Sequence, residues 1–402
     1  NVCEAIPFKV ATDITWERDP VTDNKVVNRF TECEDPAFNS DTAIADSLMS
    51  RADLSKLPDA PKEEDRYIDN EMLTALQDLT PNNPEEAGWT EMPEQGKSGT
   101  LDLVSLVQQD EESGEYFVDY NDERWDELLD QITVEEMLNM FNNGGFKTMN
   151  IASINKPATL ESDGPVGWCN FMSMTDTSWK GNNAYTSQVV MSATWNTELI
   201  ERMGECVGEE GLWGAVSTDG RSYSGWYSPG GNIHRSPFGG RNFEYFSEDP
   251  FLTGTIAAAE VRGCQSKGVY CYVKHFALNE QETHRGGGSS WVTEQAMREI
   301  YLKPFEIVVK EGGTRAMMSS FNRIGTRWTG GDYRLLTEIL RNEWGFCGTV
   351  ITDYNQSNMY MSPEQMIKAG GDLNLCTDRA SYWGGANFGS QPFDADSAAD
   401  VT

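Results

Sequence analysis

The sequence predicts an α/β fold of the (β/α)8, TIM-like barrel type, preceded by an irregular acidic extension. Two observations lead to this prediction. From residue 122 onwards, short β-branched or apolar segments alternate with longer segments of helical periodicity, which is typical of βα units around a mainly parallel sheet. Polar residues then follow the ends of the strand-like segments, where barrels of this type place their chemistry.

The predicted elements fill the chain from residue 122 to near its end, a length that fits one barrel of ~250 residues. The strand-like segments are 149–152, 225–229, 270–274, 315–320, 348–352 and 372–376. The helix-like segments are 195–213, 249–267, 293–312, 333–344 and 363–369. A doubly wound open sheet is the alternative. No Gly-x-Gly-x-x-Gly motif follows a predicted strand, so a dinucleotide site has no support.

The first 118 residues have a different character, because short apolar clusters alternate there with stretches rich in Asp, Pro and Asn. We expect extended segments wrapped on a neighbouring domain, with a short helix near 70–78 and no independent core. The chain therefore divides into a connector or extension, residues 1–118, and a barrel domain, residues 119–402. It opens on Asn-Val-Cys, and we expect it to be part of a longer polypeptide.

The chain is strongly acidic, with 64 Asp and Glu against 31 Lys and Arg and a net charge of −33. Residues 1–130 hold 33 acidic and 10 basic residues, so most of the excess lies in the first third. Such a surface repels phosphate backbones and anionic membranes. We therefore expect neither nucleic-acid nor membrane-surface partners.

Metal and membrane signals are weak in this sequence. Its eight cysteines contain no Cys-x-x-Cys pair and there are three histidines, so we expect no zinc site, no disulfide framework and no cofactor. No apolar run approaches the ~20 residues that a membrane span needs.

The most informative segment ends on Asp353. Residues 349–352, Thr-Val-Ile-Thr, form a short β-branched run that is entered through two glycines and predicts a buried strand. An Asp at the carboxyl end of such a strand lies where barrels hold catalytic groups. Taken alone, the same Asp could be a helix cap.

Further polar residues follow other predicted strands or lie in glycine-rich segments. These are Asp163, Arg241, Lys274, His275, Asn322 and Arg323. Each has a structural alternative: a turn at Asp163, pairing of Arg241 with Glu244 or Glu248, and a polar pair at a strand end for Lys274. In a barrel they converge on one face, and their donors and acceptors suit a ring of hydroxyls. Apolar faces for a sugar ring could come from Trp168, Trp226, Trp291 and Tyr354.

Residues 122–385 resemble glycoside hydrolase family 3, the β-glucosidase-like enzymes. The resemblance rests on these segments: Ser-Asp-Gly-Pro-Val-Gly (162–167), Trp-Asn-Thr-Glu-Leu-Ile (195–200), the glycine-rich run through Gly-Arg-Asn-Phe-Glu-Tyr-Phe-Ser-Glu-Asp-Pro (230–250), Lys-His-Phe-Ala-Leu-Asn-Glu-Gln-Glu (274–282), Arg-Glu-Ile-Tyr-Leu-Lys-Pro-Phe (298–305) and Glu-Trp-Gly-Phe-Cys-Gly-Thr-Val-Ile-Thr-Asp-Tyr (343–354). Together they are highly specific.

The resemblance implies a retaining exo-β-glycosidase, with a β-linked oligosaccharide or glucoside as substrate and β-glucosidase as the first expectation. Asp353 matches the family's nucleophile, while Asp163, Arg241, Lys274 and His275 match its sugar ligands. A β-xylosidase or other exo-glycosidase, or a catalytically silent sugar-binding protein, remains an alternative. The family's usual substrates and the acidic surface favour an extracellular or cell-surface location.

Three departures qualify the resemblance. Phe321 stands at a substrate-binding position usually held by Tyr, and Tyr354 stands where many relatives carry Trp. The acid/base Glu of β-glucosidase-like members belongs to an α/β sandwich domain that is not recognisable here, and the Gly-His continuation of the hexosaminidase branch is also missing. Residues 47–54 resemble the connector of members with reversed domain order. We therefore expect an upstream sandwich domain or a companion chain to supply the acid.

Two further expectations follow from the missing domain. Within the chain, Glu280, Glu282 and Glu294 are weak stand-ins for the acid/base residue. If a partner domain docks on the barrel, the isolated chain should expose an apolar patch near the site.

Overall fold

The structure is a computed structural model that describes residues 17–33, 70–84, 95–114, 116–168, 182–214, 222–355 and 360–376. Within these ranges the strands are β1 Val107–Gln109, β2 Tyr116–Val118, β3 Lys147–Thr148, β4 Thr159–Asp163, β5 Gly225–Tyr227, β6 Tyr270–Phe276, β7 Ser289–Ser290, β8 Ala316–Ser319, β9 Arg323–Ile324, β10 Arg327–Trp328 and β11 Thr349–Ile351. The α-helices are Asn70–Gln77, Arg124–Asp130, Val134–Asn143, Gln188–Ser192, Thr197–Glu209, Pro250–Gln265, Glu294–Ala296, Lys303–Lys310 and Pro363–Ala369, and π-helices cover Glu210–Gly214, Met297–Tyr301 and Arg334–Glu343.

A six-stranded sheet of order β11-β8-β6-β5-β4-β3 organises the described residues. The strands from β4 to β11 in this sheet pair in parallel, and β3 joins the edge antiparallel to β4. Helices connect the successive parallel strands, so the strands turn the same way and their carboxyl ends share one face. The predicted TIM-like barrel class is confirmed, and the described sheet is a curled half of such a barrel.

Most predicted elements of the barrel are confirmed. The strand segments near 225, 270, 315 and 348 and the five helical segments all form, although 293–312 consists of three consecutive helical pieces. The strand predicted at 149–152 is wrong, because β3 ends at Thr148 and Ala152–Ile154 is a 3₁₀ turn. At 372–376 the described sheet gains only a bridge between Leu373 and Ile351. The sequence reading missed β4.

The outer layer is held by close helix packing. Helix Pro250–Gln265 begins at Asp249, whose carboxylate accepts the Leu252 amide at 2.6 Å. It lies against helix Thr197–Glu209 so closely that a Cβ on Gly263 would stand 1.9 Å from the Glu201 carbonyl oxygen. Only glycine permits this approach.

Residues 17–33 are packed on the barrel. Phe30 is fully buried in the main hydrophobic cluster, and the amides of Arg29 and Phe30 donate to Glu294 Oε2 at 2.6 and 2.7 Å.

The helix predicted near 70–78 forms at Asn70–Gln77. The proposed boundary at 118 stays a prediction, and the connector-like residues 47–54 lie outside the described residues.

A cavity of about 760 Å³ opens at the amino-terminal ends of the strands, where Thr159, Tyr270, Arg315 and Thr349 line it.

Within the described ranges, no helix combines the length and the apolar character needed to cross a bilayer.

Candidate active site

The centre of the site is Asp353, two residues beyond the end of β11. Its side chain is buried, and Oδ1 accepts the amide of Tyr354 at 2.6 Å. Oδ2 has no hydrogen-bond partner among the described residues. Burial raises the pKa of Asp353 to about 6, while the positive charges of Arg241, Arg285 and Lys274 and the Tyr354 amide act in the opposite direction. Asp353 is thus a carboxylate with one oxygen free to react.

The buried Lys274 forms an ion pair with the partly exposed Asp163 beside this carboxylate. The Lys274 ammonium donates to Asp163 Oδ1 at 2.8 Å, and the same oxygen accepts the Gly164 amide at 2.9 Å. Lys274 lies in β6 and Asp163 ends β4, so the parallel sheet brings them together. Asp163 keeps an exposed fraction of 22%, which leaves the carboxylate accessible to a hydroxyl group.

His275 follows Lys274 in β6 and contacts both Arg241 and Asp353. Burial, together with the positive charges of Arg241, Lys274 and Arg285, holds the pKa of its imidazole well below the usual range. The Arg241 Nη2 donates to Nε2 at 3.0 Å, so the neutral ring carries its proton on Nδ1. That nitrogen faces Asn232 Oδ1 at 3.4 Å.

Arg241 is held by carboxylates and still faces the site. It pairs with Glu244, as one of the structural alternatives predicted, and its Nη1 lies 3.8 Å from Glu282 Oε1. Its contact with His275 also places Arg241 in the polar cluster, and its role as a sugar ligand stays a prediction. The pairing with Glu244 fixes the guanidinium, and the guanidinium in turn fixes the imidazole.

Arg285 is a member of the cluster that sequence reasoning missed. Its guanidinium carbon stands 4.5 Å from the centre of the Phe321 ring, and its Nη1 lies 3.2 Å from Glu282 Oε2. Tyr354 packs against the same apolar cluster as Phe321. Arg285 lies in a loop beyond β6, so no strand-end signal marked it.

The structure therefore brings together five of the seven polar residues that the sequence singled out, in a chain of contacts from Asp163 through Lys274 and His275 to Asp353, with Arg241 on His275. Asn322 and Arg323 are not in this chain. Asn322 donates to the Ala277 carbonyl, and Arg323 donates to the carbonyls of Gly287 and Leu76.

Two of the aromatic predictions are wrong. Trp168 and Trp226 are buried in the core, where their indole N–H groups donate to the carbonyls of Val207 and Gly164 at 2.8 Å. They offer no face to a sugar. Trp291 lines a polar cavity of about 320 Å³ that Arg285 and Glu280 also line, so it remains a candidate.

The three acidic stand-ins have different surroundings. Glu294 binds the Arg29 and Phe30 amides and Arg298, which makes it structural. Glu282 pairs with Arg241 and Arg285. Glu280 accepts from Asn232 at 3.1 Å, and burial raises its pKa to about 7. No His, Cys, Asp and Glu cluster suited to a metal ion occurs in the described part of the chain.

The model of the glycosyl hydrolase family 3 N-terminal domain matches residues 175–382. The chain is 39% identical over 251 residues to a β-glucosidase of Rhizobium radiobacter, covering 62% of this chain and 29% of that protein. It is 36% identical over 229 residues to an exo-α-(1→6)-L-arabinopyranosidase of Bifidobacterium longum, covering 56% and 29%.

Among solved structures, β-glucosidase 3B of Thermotoga neapolitana in complex with α-D-glucose superposes with a TM-score of 0.54 at 33% identity, covering 63% of this chain and 36% of that one. The chain spans about a quarter to a third of the curated relatives' length. The family match covers slightly more than half of its own residues, and this chain belongs to glycosyl hydrolase family 3.

Proposed function

We propose that this chain forms the barrel of a retaining exo-β-glycosidase that removes terminal non-reducing β-D-glucosyl residues, with Asp353 as the nucleophile. One observation carries the proposal. A buried carboxylate at a strand end leaves Oδ2 without a partner among the described residues, while the nearby charges of Arg241, Arg285 and Lys274 favour its ionised form.

The chemistry follows from that carboxylate. Asp353 Oδ2 forms a bond to the anomeric carbon as the glycosidic C–O bond breaks, through a transition state with oxocarbenium character. Water then cleaves the glycosyl ester and regenerates the carboxylate. The surrounding cations keep Asp353 ionised before attack and stabilise the carboxylate when it leaves.

Asp163 and Lys274 are proposed to hold the sugar. Their pair offers a carboxylate acceptor and an ammonium donor within 2.8 Å of each other, which matches adjacent hydroxyls that both donate and accept. Phe321 and Tyr354 would contact its apolar face. The neutral His275 adds a fixed contact, and because its pKa is depressed it is unsuited to act as the acid.

The proton donor is proposed to come from an upstream α/β sandwich domain or a companion chain. Glu280 is the alternative within the chain, because its pKa of about 7 suits a general acid. The loop that holds Arg241 also carries Phe238 and Phe243, with exposed fractions of 93% and 48%. Exposed aromatic side chains beside a site suit a docking partner.

Two measurements separate these sources of the acid. Full activity from a lone chain, with native mass spectrometry showing no partner, would exclude the companion domain. In that case Glu280→Gln should lower kcat/KM for a glucoside with a poor leaving group and leave kcat/KM for a dinitrophenyl glucoside nearly unchanged, because only the first needs a proton for its leaving group.

The central experiment is covalent trapping. A 2-deoxy-2-fluoro-β-glucoside with a dinitrophenolate leaving group reacts without help from an acid, so the 402-residue chain suffices. Peptide mass spectrometry should place the label on the peptide that holds Asp353. Asp353→Asn should remain unlabelled, and the exposed Asp126→Asn should label normally. Label on another carboxylate would overturn the assignment.

Matched sugars decide specificity. The arabinopyranosidase relative gives the exo-glycosidase alternative a concrete form, so fluorinated xyloside and arabinopyranoside reagents belong in the same assay. Preferential labelling by one of them would replace the glucosidase assignment. Glucose binding that survives Asp353→Asn, with no labelling by any reagent, would indicate a silent sugar-binding protein.

A further inference from the structure

Arg323 is a buried cation outside the chain of polar contacts around Asp353. It opens β9, two residues after Phe321, with an exposed fraction of 9%. It forms no ion pair within the described ranges. Its guanidinium is satisfied by two backbone carbonyls and an aromatic ring, an arrangement that a planar, multidentate arginine allows and a lysine does not.

The three partners of Arg323 belong to three separate segments. Nη1 donates to the Gly287 carbonyl, and Nη2 donates to the Leu76 carbonyl at 3.2 Å. The guanidinium carbon stands 4.5 Å from the centre of the Tyr360 ring. Leu76 lies in the helix Asn70–Gln77, Gly287 lies in the loop before β7, and Tyr360 lies beyond the nucleophile strand.

The loop held by Arg323 carries Arg285. The Gly287 amide donates to the Phe321 carbonyl at 3.2 Å, and the Tyr360 hydroxyl donates to the same carbonyl at 2.8 Å. The Phe321 ring then supports the Arg285 guanidinium at 4.5 Å. Phe321 therefore contacts the loop through its carbonyl and supports Arg285 through its ring.

The fit at Gly287 is close. Its φ of +78° is a left-handed conformation, and an added Cβ would stand 2.6 Å from Arg323 Nη1. The loop thus approaches the guanidinium at a glycine, where backbone and cation can come into contact.

We propose that Arg323 is a positioning residue that holds Arg285 toward the Asp353 carboxylate and makes this placement depend on the N-terminal segment 70–84. This inference rests on the proposed role of Asp353 as nucleophile. The dependence on residues 70–84 comes from Leu76, which lies outside the βα units of the barrel. Its carbonyl is the second acceptor, beside that of Gly287, that fixes the Arg323 guanidinium.

A purely structural role predicts something different, and Arg327 provides the comparison. Arg327 Nη1 donates to the Thr80 carbonyl at 2.6 Å, and its Nη2 lies 3.9 Å from Asp78 Oδ2. It therefore holds the same N-terminal segment and, among the contacts described, does not bond to the Gly287 loop. Loosening that segment alone is tested by Arg327→Gln.

The pH dependence of labelling at Asp353 is a second measurement, and a general loss of stability does not shift it. The charged or titratable groups that act on this carboxylate or are affected by it are Arg241, Arg285, Lys274, His275 and Tyr360. Arg285 lowers the pKa of Asp353. Displacement of Arg285 therefore raises that pKa and shifts the acid limb of the labelling rate to higher pH.

The experiment compares wild type, Arg323→Gln, Arg323→Lys and Arg327→Gln in the 402-residue chain. Amide hydrogen exchange is measured over 283–290, and the labelling rate by the dinitrophenyl 2-deoxy-2-fluoro-β-glucoside is measured from pH 4.5 to 8. Arg323→Gln should raise exchange in 283–290 about tenfold, the effect of one lost hydrogen bond. It should also move the acid limb upward by about half a pH unit.

Arg323→Lys keeps the charge and one carbonyl contact, so it should give smaller changes in both measurements, and it decides the matter if Arg323→Gln does not fold. Arg327→Gln loosens the N-terminal segment but keeps the Arg323 contact with the Gly287 carbonyl, so it should raise exchange over 283–290 by less than Arg323→Gln and leave the acid limb in place. Unaltered exchange over 283–290 in the Arg323 variants overturns the inference. Absence of labelling in wild type overturns the proposed function instead, while the exchange measurement still decides whether Arg323 positions the loop.

Discussion

His275 Nε2 lies 3.7 Å from Asp353 Oδ2, and the imidazole has no proton to donate across that gap. Arg241 donates to the same nitrogen at 3.0 Å, so Nε2 acts as an acceptor. The ring is buried and its pKa is held well below the usual range. The negative charge of Asp353 is therefore balanced by cations at a distance and not by a direct hydrogen bond from His275.

The first prediction concerns pH. Burial raises the pKa of Asp353 to about 6, and only the ionised carboxylate attacks. The rate of covalent labelling should therefore rise with pH and level off above a midpoint near 6. A midpoint near 4, the usual value of an Asp, would contradict the balance of burial and charge described here.

The second prediction concerns Lys274. Replacing it by Met removes the donor on Asp163 and one of the charges that lower the pKa of Asp353. The labelling rate should fall by about 100-fold or more, as for loss of one preorganised donor. Lys310→Met is the matched control, because the Lys310 side chain is also buried and pairs with Asp19 and Glu306, neither of which belongs to the polar cluster. It should lower stability and leave the rate per folded molecule unchanged.

The third prediction concerns stability. The folded-state pKa of Asp353 is raised from 3.8 to about 6, so ionising this group destabilises the fold as pH rises between those two values. Asp353→Asn should therefore stabilise the protein at pH 7 by about 1–3 kcal/mol. Urea unfolding at pH 7 measures the difference, with Asp126→Asn as control. If Asp353→Asn were less stable than wild type, the negative charge of Asp353 would be stabilising the nearby positive charges of Arg241, Arg285 and Lys274 in the folded state.

The fourth prediction concerns the N-terminal segment. Phe30 is fully buried, and the Arg334 guanidinium carbon stands 4.4 Å from the centre of its ring. Phe30→Ala should cost about 3–5 kcal/mol of unfolding free energy, the usual range for a buried Phe. Phe251→Ala, at an exposed fraction of 64%, should cost little. Equal effects of the two substitutions in a urea titration would mean that residues 17–33 are dispensable to the barrel.

Sequence reasoning located the parallel sheet because its strands are apolar runs, and it missed β4 because that strand is polar. Thr-Leu-Glu-Ser-Asp does not resemble a buried strand. The buried Glu161 is tolerated because Tyr227, Tyr270 and Tyr272 donate hydroxyl hydrogen bonds to it at 2.7, 2.7 and 2.9 Å. These donors come from β5 and β6, so the compensation is visible only after the strands pair.

The predictions for Trp168 and Trp226 failed for a related reason. Trp168 and Trp226 follow or occupy strands near the site, which made them candidates for sugar contacts. Their direction is decided by the sheet register and by backbone carbonyls that accept their indole protons. The sequence alone does not distinguish a tryptophan whose ring faces the site from one whose ring packs into the core.

The 760 Å³ cavity has a practical consequence for ligand discovery. It lies at the amino-terminal ends of the strands, whereas Asp163, Lys274 and Asp353 lie at or beyond the carboxyl ends. Compounds chosen to fill this volume would bind at the opposite end of the strands from Asp353. A thermal-shift screen of this protein should therefore select binders that raise the melting temperature and leave covalent labelling of Asp353 unchanged.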